Sequence, residues 1–256
     1  MSNNRRFVYG IDGRVFTSNN KIFDFLSGYP PFDGMALWLR ADAGVVKNGN
    51  DKVSQWQDQS GNGHHLYQNT EALKPTKVIH PTYGYHCLLF NVNHMIANVI
   101  PDFGSTDLHI FCAVEGFSTA EGGRFKGIIN VGSELNFWIA RDMDANSHRV
   151  HTYNSNSSVF GPDFSFTPEG MRTLIGYRKN LGSLIELYQD GGIVGSSTAA
   201  NATGTFTNDV INVGYNRGTS GGYWNGYIME IIIYTRQISD PQRQSVENYL
   251  MNKYGL

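Results

Sequence analysis

The sequence carries little charge, and that charge is balanced. Its 256 residues include 20 Lys and Arg against 22 Asp and Glu, which gives a formal net charge of −2 at pH 7. Binding to nucleic acid or to an anionic membrane depends on an excess of positive charge, so neither kind of partner is expected. Hydrophobic residues make up 40% of the chain, enough for a full-sized core.

Long hydrophobic runs are also missing. The longest apolar stretch with membrane character runs from Tyr227 to Tyr234 and contains Glu230. It is far shorter than the roughly 20 residues that span a bilayer. The first residues alternate polar and apolar side chains, without the apolar segment of about 7–15 residues that a secretory signal requires. We therefore expect neither a transmembrane helix nor Sec-type export.

Cysteine is scarce, and the cysteines carry no functional signal. Cys87 and Cys112 each lie within an apolar, strand-like run. Free cysteine packs as a small hydrophobe, so buried thiols are the favoured interpretation and a disulfide is the alternative. Two thiols alone do not make a zinc site, and no histidine has a suitable spacing from either of them.

The residues that are abundant indicate β-structure. The chain has 29 Gly, 14 Tyr and 15 Phe, a composition typical of short strands joined by tight turns. About ten strand-like segments recur from Met35 onward, which predicts an all-β protein with two antiparallel sheets packed as a sandwich. The clearest nine are Ala36–Arg40, His86–Phe90, Leu108–Glu115, Gly127–Val131, Asn136–Ala140, Arg172–Arg178, Leu184–Tyr188, Val210–Gly214 and Tyr227–Tyr234. Asp190-Gly191 predicts a hairpin turn.

Two segments stand apart from the strands. Residues 1–34 are predicted to form an N-terminal arm or hairpin, and a short hairpin is marginal alone, so we expect it to pack on the main body or dock on a partner. The alternative is a loosely tethered N-terminus. One short helix is predicted at the C-terminus, since Ser239 and Gln242 have the spacing of a capping box and Gly255 ends the pattern. Its narrow apolar stripe predicts that it closes one end of the sandwich.

The sequence does not show the residues of a catalytic site. Glycoside hydrolysis needs two carboxylates at a fixed separation, commonly from alternate positions of one strand. Asp142 and Asp144 come nearest to such a carboxylate pair, but they lie in a segment whose composition is typical of a polar turn. His148 and His151 are three apart in a strand-like run, which places them on opposite faces. We expect a protein that is not an enzyme, with glycan hydrolysis as the least favoured alternative.

Sugar recognition is better supported. It needs an aromatic face for the sugar ring and planar polar groups for the hydroxyls, and a glycine-rich segment late in the chain supplies both. The candidate ligand-binding residues are Tyr215, Asn216, Arg217, Tyr223, Trp224 and Asn225. The alternative is that Tyr223 and Trp224 are core or edge-strand aromatics. A weaker candidate combines Trp138, Arg141 and Asp142.

The sequence indicates no definite cofactor, and a bound calcium ion is the one candidate. Calcium takes scattered oxygen ligands from loops without a fixed pattern. Asp142, Asp144 and Asn146 have alternate spacing, but they lack the glycine and the downstream glutamate of an EF-hand. The sequence therefore identifies no particular metal ligands.

Several motifs together resemble those of a known family. Trp56-Gln-Asp-Gln-Ser-Gly-Asn-Gly-His64 is similar to the W-x-D-x-S-G-N-G-x segment of laminin-G-like, concanavalin A-like jelly-roll domains. Three later segments resemble the family's strand, its D-G turn and its closing G-x-I-x-E strand, and they occur in the family's order. They are Leu184–Gly191, Ile211–Gly214 and Asn225–Tyr234. The resemblance covers about residues 35–256 and implies a jelly-roll domain there. It also implies that most motif residues are structural, with Glu230 hydrogen-bonded locally.

The resemblance suggests two classes of function. The ending Val246–Leu256 is similar to the tail of many bacterial and phage members, whose domains serve as surface-binding or virion-associated modules, and the family's hydrolases carry an acidic motif that is absent here. The first expectation is a non-catalytic adhesion module that binds a carbohydrate or cell-surface ligand, on a virion or an extracellular surface. The second is a structural phage protein, a capsid decoration or fibre-associated component, whose residues 1–34 dock on other virion proteins. A homo-oligomer is compatible with either.

Overall fold

The computed structural model describes residues 8–9, 15–16, 29–31, 33–97, 107–117, 125–131, 137–142, 147–154, 157–165, 172–180, 184–198, 210–215 and 221–256. Its strands, in chain order, are β1 (Val8–Tyr9), β2 (Val15–Phe16), β3 (Met35–Arg40), β4 (Val45–Lys47), β5 (Val53–Trp56), β6 (Leu66–Tyr67), β7 (Thr76–Ile79), β8 (His86–Asn91), β9 (Met95–Ala97), β10 (Leu108–Gly116), β11 (Phe125–Val131), β12 (Phe137–Asp142), β13 (Ser147–Asn154), β14 (Ser157–Ser165), β15 (Arg172–Asn180), β16 (Leu184–Gln189), β17 (Gly192–Thr198), β18 (Ile211–Val213) and β19 (Asn225–Tyr234). A 3-10 turn spans Glu71–Leu73, and the helix α1 spans Asp240–Tyr254.

The strands form two large antiparallel sheets, which confirms the predicted all-β sandwich with one C-terminal helix. The eight-stranded sheet has the order β17-β16-β15-β10-β19-β8-β7. The first half of β19 pairs with β8, and its second half pairs with β3. The nine-stranded sheet has the order β14-β13-β12-β11-β18-β9-β6-β5-β4. In the N-terminal arm β1 pairs with β2, separately from both sheets.

Alternation along β10 divides the apolar residues into two layers. Ile110 and Cys112 point between the sheets, whereas Phe111 and Ala113 point to the opposite face, beneath α1. Cys87 belongs to the layer beneath the helix, so the sheet itself separates it from Cys112. Both are buried free thiols, as expected.

The helix lies across a sheet face and does not close an end of the sandwich, so that expectation was wrong. Val246, Leu250 and Tyr254 repeat at every fourth residue and are buried in the layer that covers the eight-stranded sheet. The predicted start and end of the helix are confirmed. Ser239 and Gln242 form a capping box, and Gly255 ends the helix in the left-handed conformation at φ +63°.

The segment that carries the clearest family resemblance has a structural role. Asp58 Oδ1 accepts hydrogen bonds from the backbone N–H groups of Trp38 and Ser60, both at 2.9 Å. Its other oxygen, Oδ2, accepts from the His64 backbone N–H at 3.1 Å. Asn62 Nδ2 donates to the Met35 carbonyl at 2.8 Å. The loop therefore fastens the start of β3, and its polar residues are used in that contact.

The chain just before β3 is fixed to the body near the end of β19. Tyr234 Oη donates to the Pro31 carbonyl at 2.7 Å, and Arg236 Nη2 lies 2.7 Å from Asp33 Oδ2. The Tyr29 ring lies 6.1 Å from the ring of Trp38. Residues 29–33 are thus held on the same side of the eight-stranded sheet as α1. None of the described helices is long and apolar enough to cross a membrane.

Candidate functional site

The outer face of the nine-stranded sheet lies on the side of the sandwich away from α1. The register lines up one outward residue from each of six neighbouring strands, because their chain neighbours Trp56, Leu66, Ala97, Ile211 and Ile129 point into the core. These residues, called the outer row below, are Val46, Gln55, Tyr67, Ile96, Asn212 and Asn130.

The outer row changes from exposed to buried along its length. Val46, Tyr67 and Ile96 are 42%, 43% and 37% exposed, an unusual degree for large apolar side chains in one line. Gln55 Nε2 donates to Tyr67 Oη at 3.1 Å, which holds the phenol ring beside an amide. Asn212 and Asn130, at the other end, are buried. Apolar, aromatic and amide groups thus share one face of the sheet.

Three aromatic rings gather beside this row, and we call them the aromatic cluster: Tyr215, Tyr223 and His94. The two phenol rings are stacked, with centroids 4.4 Å apart and planes at 24°. The His94 ring lies 5.5 Å from Tyr215 and 6.1 Å from Tyr223. All three residues are partly exposed. His94 lies two residues before Ile96, so it is on the outer side of the sheet.

Backbone hydrogen bonds hold the tyrosines in place. Tyr215 follows β18, and Tyr223 is bridged both to Tyr215 and to Gly127 of β11. Gly214, between the end of β18 and Tyr215, has φ +85°, and a Cβ there would lie only 2.3 Å from the Phe90 ring. Because any side chain at this position would need a strained backbone and would collide with the core, glycine is required.

His94 is fixed from a distant part of the chain. Its backbone N–H donates to the Leu73 carbonyl at 3.2 Å, and its carbonyl accepts from Gln68 Nε2 at 3.0 Å. Burial and the neighbouring Tyr215 raise the pKa of Tyr223. The Tyr223 hydroxyl therefore stays protonated at neutral pH, so it can both donate and accept a hydrogen bond.

The structure brings together only part of the predicted site. Tyr215 and Tyr223 are neighbours, but Trp224 is 1% exposed and belongs to the inter-sheet core. Trp224 is therefore the core aromatic of the alternative interpretation and not an exposed ring, because consecutive residues of an extended segment point to opposite sides and Tyr223 takes the outer one. Asn225 begins β19, and its carbonyl accepts from the Phe117 N–H. Asn216 and Arg217 lie outside the described residues.

The structure describes only a small part of the weaker sugar-binding candidate and of the calcium candidate. Arg141 is buried and donates to the Phe117 carbonyl at 3.4 Å, so its guanidinium is not on the surface. The side chains of Trp138 and Asp142, together with Asp144 and Asn146, lie outside the described part of the chain. Within the part that is described, no three His, Cys, Asp or Glu side chains converge as a metal site would require.

No protein-family model and no curated protein sequence matches the chain. Its fold is similar to several solved binding domains. The binding domain of Paraclostridial Mosquitocidal Protein 1 superposes with a TM-score of 0.65 at 15% identity, covering 86% of this chain and 53% of that one. The binding domain of Botulinum neurotoxin DC, solved with rat synaptotagmin II, gives 0.60 at 15% identity, covering 86% and 52%.

A third similar structure is domain 4 of AbnA, a GH43 extracellular arabinanase from Geobacillus stearothermophilus, in complex with arabinotriose. It gives a TM-score of 0.60 at 16% identity, covering 84% of this chain and 98% of that one. This chain spans about half the length of the two toxin binding domains and nearly all of the arabinanase domain. At these identities the similarity shows a shared sandwich fold.

Proposed function

We propose that this protein is a non-catalytic recognition module that binds a cell-surface glycan through the aromatic cluster. The observation that carries the proposal is the stacked pair of Tyr215 and Tyr223, partly exposed beside His94 on the outer face of the nine-stranded sheet. Tyrosine rings give a rigid apolar surface for the C–H face of a sugar, and their hydroxyls offer hydrogen bonds at the rim.

The similar structures support the ligand class. Among the similar binding domains, Botulinum neurotoxin DC was solved with SialylT, and the cell entry of botulinum neurotoxin type C depends on two ganglioside molecules. The arabinanase domain was solved with arabinotriose. We carry over only the general class, a glycan on a cell or polymer surface. Binding without hydrolysis is favoured because the sequence lacks the paired acidic run of the family's hydrolases.

We also propose that the N-terminal arm attaches the domain to other proteins of an assembly, such as a phage particle, or to the surface on which it is displayed. The specific observation is the fixed segment that precedes β3: Tyr234 holds Pro31, and Arg236 holds Asp33. This anchor lies on the helix side, opposite the aromatic cluster.

A glycan array tests the proposed binding function. The full chain is applied to printed gangliosides, sialylated glycans and arabino-oligosaccharides, once with calcium and once with a chelator. Tyr223→Ala is compared with Tyr83→Ala, a matched control on the other side of the sandwich whose ring is 53% exposed. We expect specific binding that Tyr223→Ala loses and Tyr83→Ala keeps. The absence of any bound glycan, or equal binding by both variants, contradicts the proposal.

The arm is tested separately by light scattering during size exclusion. The full chain and a variant lacking residues 1–28 are compared alone and with candidate assembly partners. We expect the shortened variant to keep glycan binding and to lose co-elution with a partner or with further copies of itself. Unchanged association without the arm contradicts the docking proposal.

A further inference from the structure

Two buried asparagines face each other at the end of the outer row. Asn130 on β11 and Asn212 on β18 are register partners, and they are 0% and 1% exposed. Side chains directly opposite on an antiparallel pair have Cβ atoms about 5 Å apart. Their chain neighbours Ile129, Ile211 and Val213 fill the inter-sheet core, so both amides belong to the outer face.

Most of the polar atoms of this pair are unused. Within the described part of the chain, Asn130 Oδ1, Asn130 Nδ2 and Asn212 Nδ2 are buried without a hydrogen-bond partner. Buried polar side chains are nearly always hydrogen-bonded, because leaving them unpaired destabilises the fold. A site that keeps three such atoms together has a donor and acceptor set that a bound molecule can complete.

The position of the pair indicates the shape of that molecule. From Asn130 the outer row continues through Ile96 and Tyr67 to Gln55 and Val46, crossing one strand at each step. Neighbouring strands are about 4.8 Å apart, so the five steps cover roughly 24 Å. An exposed ring, an amide beside it and two aliphatic side chains thus lead to the buried amides along one line.

We propose that the Asn130–Asn212 pair is the polar subsite for an oligosaccharide that lies across the strands of the nine-stranded sheet, along the outer row. A sugar hydroxyl both donates and accepts, which matches an amide oxygen beside amide N–H groups. The Tyr67 ring and the aliphatic side chains take the apolar faces of the following sugars. This inference rests on the proposed function and adds where the chain of sugars lies beyond the aromatic cluster.

Leucine substitutions separate this role from a structural one. Leucine has nearly the shape of asparagine and carries no polar atoms, so Asn130→Leu and Asn212→Leu remove the unpaired groups. We expect each variant to melt at the same or a higher temperature than the wild type. We also expect each to bind the best array oligosaccharide at least tenfold more weakly in a calorimetric titration. An equal or higher melting temperature with wild-type affinity overturns the inference, because the amides then do not contact the oligosaccharide.

A surface variant protects the test against misfolding of the core variants. Tyr67→Ala changes only an exposed position of the outer row, and we expect it to weaken binding severalfold while Tyr83→Ala does not. If Tyr223→Ala abolishes binding but Tyr67→Ala binds as tightly as the wild type, the proposed function stands and this inference falls. If the wild type binds no oligosaccharide, both fall.

Discussion

The indole N–H of Trp38 donates a hydrogen bond to Glu230 Oε1 at 2.5 Å, joining the side chains of two strands that are paired in the eight-stranded sheet. The other carboxylate oxygen, Oε2, accepts from Lys253 Nζ at 2.6 Å and from Tyr254 Oη at 2.7 Å. Glu230 is fully buried. One carboxylate therefore links the first strand of the body, the last strand and the end of α1.

Replacing Glu230 by glutamine is expected to destabilise the fold strongly. The variant removes the buried charge that Lys253 Nζ and Tyr254 Oη contact, while Lys253 keeps Asp42 Oδ2 at 3.1 Å. Losing hydrogen bonds to a charged group costs about 1.5–3 kcal/mol. Urea unfolding measures the free energy. Glu71→Gln is the control, because the Glu71 carboxylate that pairs with Lys74 is exposed and its loss should change the unfolding free energy much less. Equal stability of the two variants contradicts this role for Glu230.

Trp224 is expected to act on stability and not on ligand contact. Its ring is buried against Gly116, where a Cβ would lie 3.0 Å from Trp224 Cη2. Truncation of a buried Trp costs about 3–5 kcal/mol, so Trp224→Ala should unfold at a much lower urea concentration. Tyr223→Ala, one residue away and partly exposed, should cost about 1 kcal/mol or less. A Trp224→Ala protein as stable as Tyr223→Ala would place the indole outside the core.

His109 should make the protein less stable in acid. Burial, with the charges of Arg178 and Arg243, lowers the pKa of His109 to about 3. In the unfolded chain the imidazole binds a proton below about pH 6.5. Between about pH 6.5 and 3 the unfolded state therefore holds the extra proton. Within this window stability falls by up to about 1.4 kcal/mol per pH unit as the pH falls.

A variant without the titrating group isolates that contribution. His109→Phe keeps a ring of similar size and cannot bind a proton. We expect the unfolding free energy of the wild type, measured at pH 7.5, 6, 5 and 4, to fall more steeply than that of the variant, with no difference in slope above pH 6.5. Parallel slopes in acid would mean that His109 is protonated in the folded protein.

The sequence predicted the local features well. The Asp190-Gly191 turn, the capping box at Ser239 and the burial of both cysteines follow from short-range rules, and the structure has them. For Trp224 the sequence left ligand contact and core packing as alternatives, and alternation along the chain decides for the core. Its neighbour Tyr223 takes the outer face, so the next side chain of an extended segment has to enter the core.

Long-range pairing is what local patterns could not provide. His94 reaches Tyr215 and Tyr223 only because β9 pairs with β18, and the outer row exists only through the order of six strands. Glu230 was expected to bond locally, yet its partner Trp38 is 192 residues away. In each case the contact depends on which strands become neighbours in a sheet, and no spacing in the sequence encodes that order.

The most direct test of the account is an equilibrium titration of the best-bound glycan against the wild type, Tyr223→Ala and Tyr83→Ala, with each protein shown to be folded by its melting curve. We expect Tyr223→Ala to bind at least tenfold more weakly, whereas Tyr83→Ala binds as the wild type does. Wild-type affinity in a folded Tyr223→Ala protein would contradict the claim that the aromatic cluster binds the ligand.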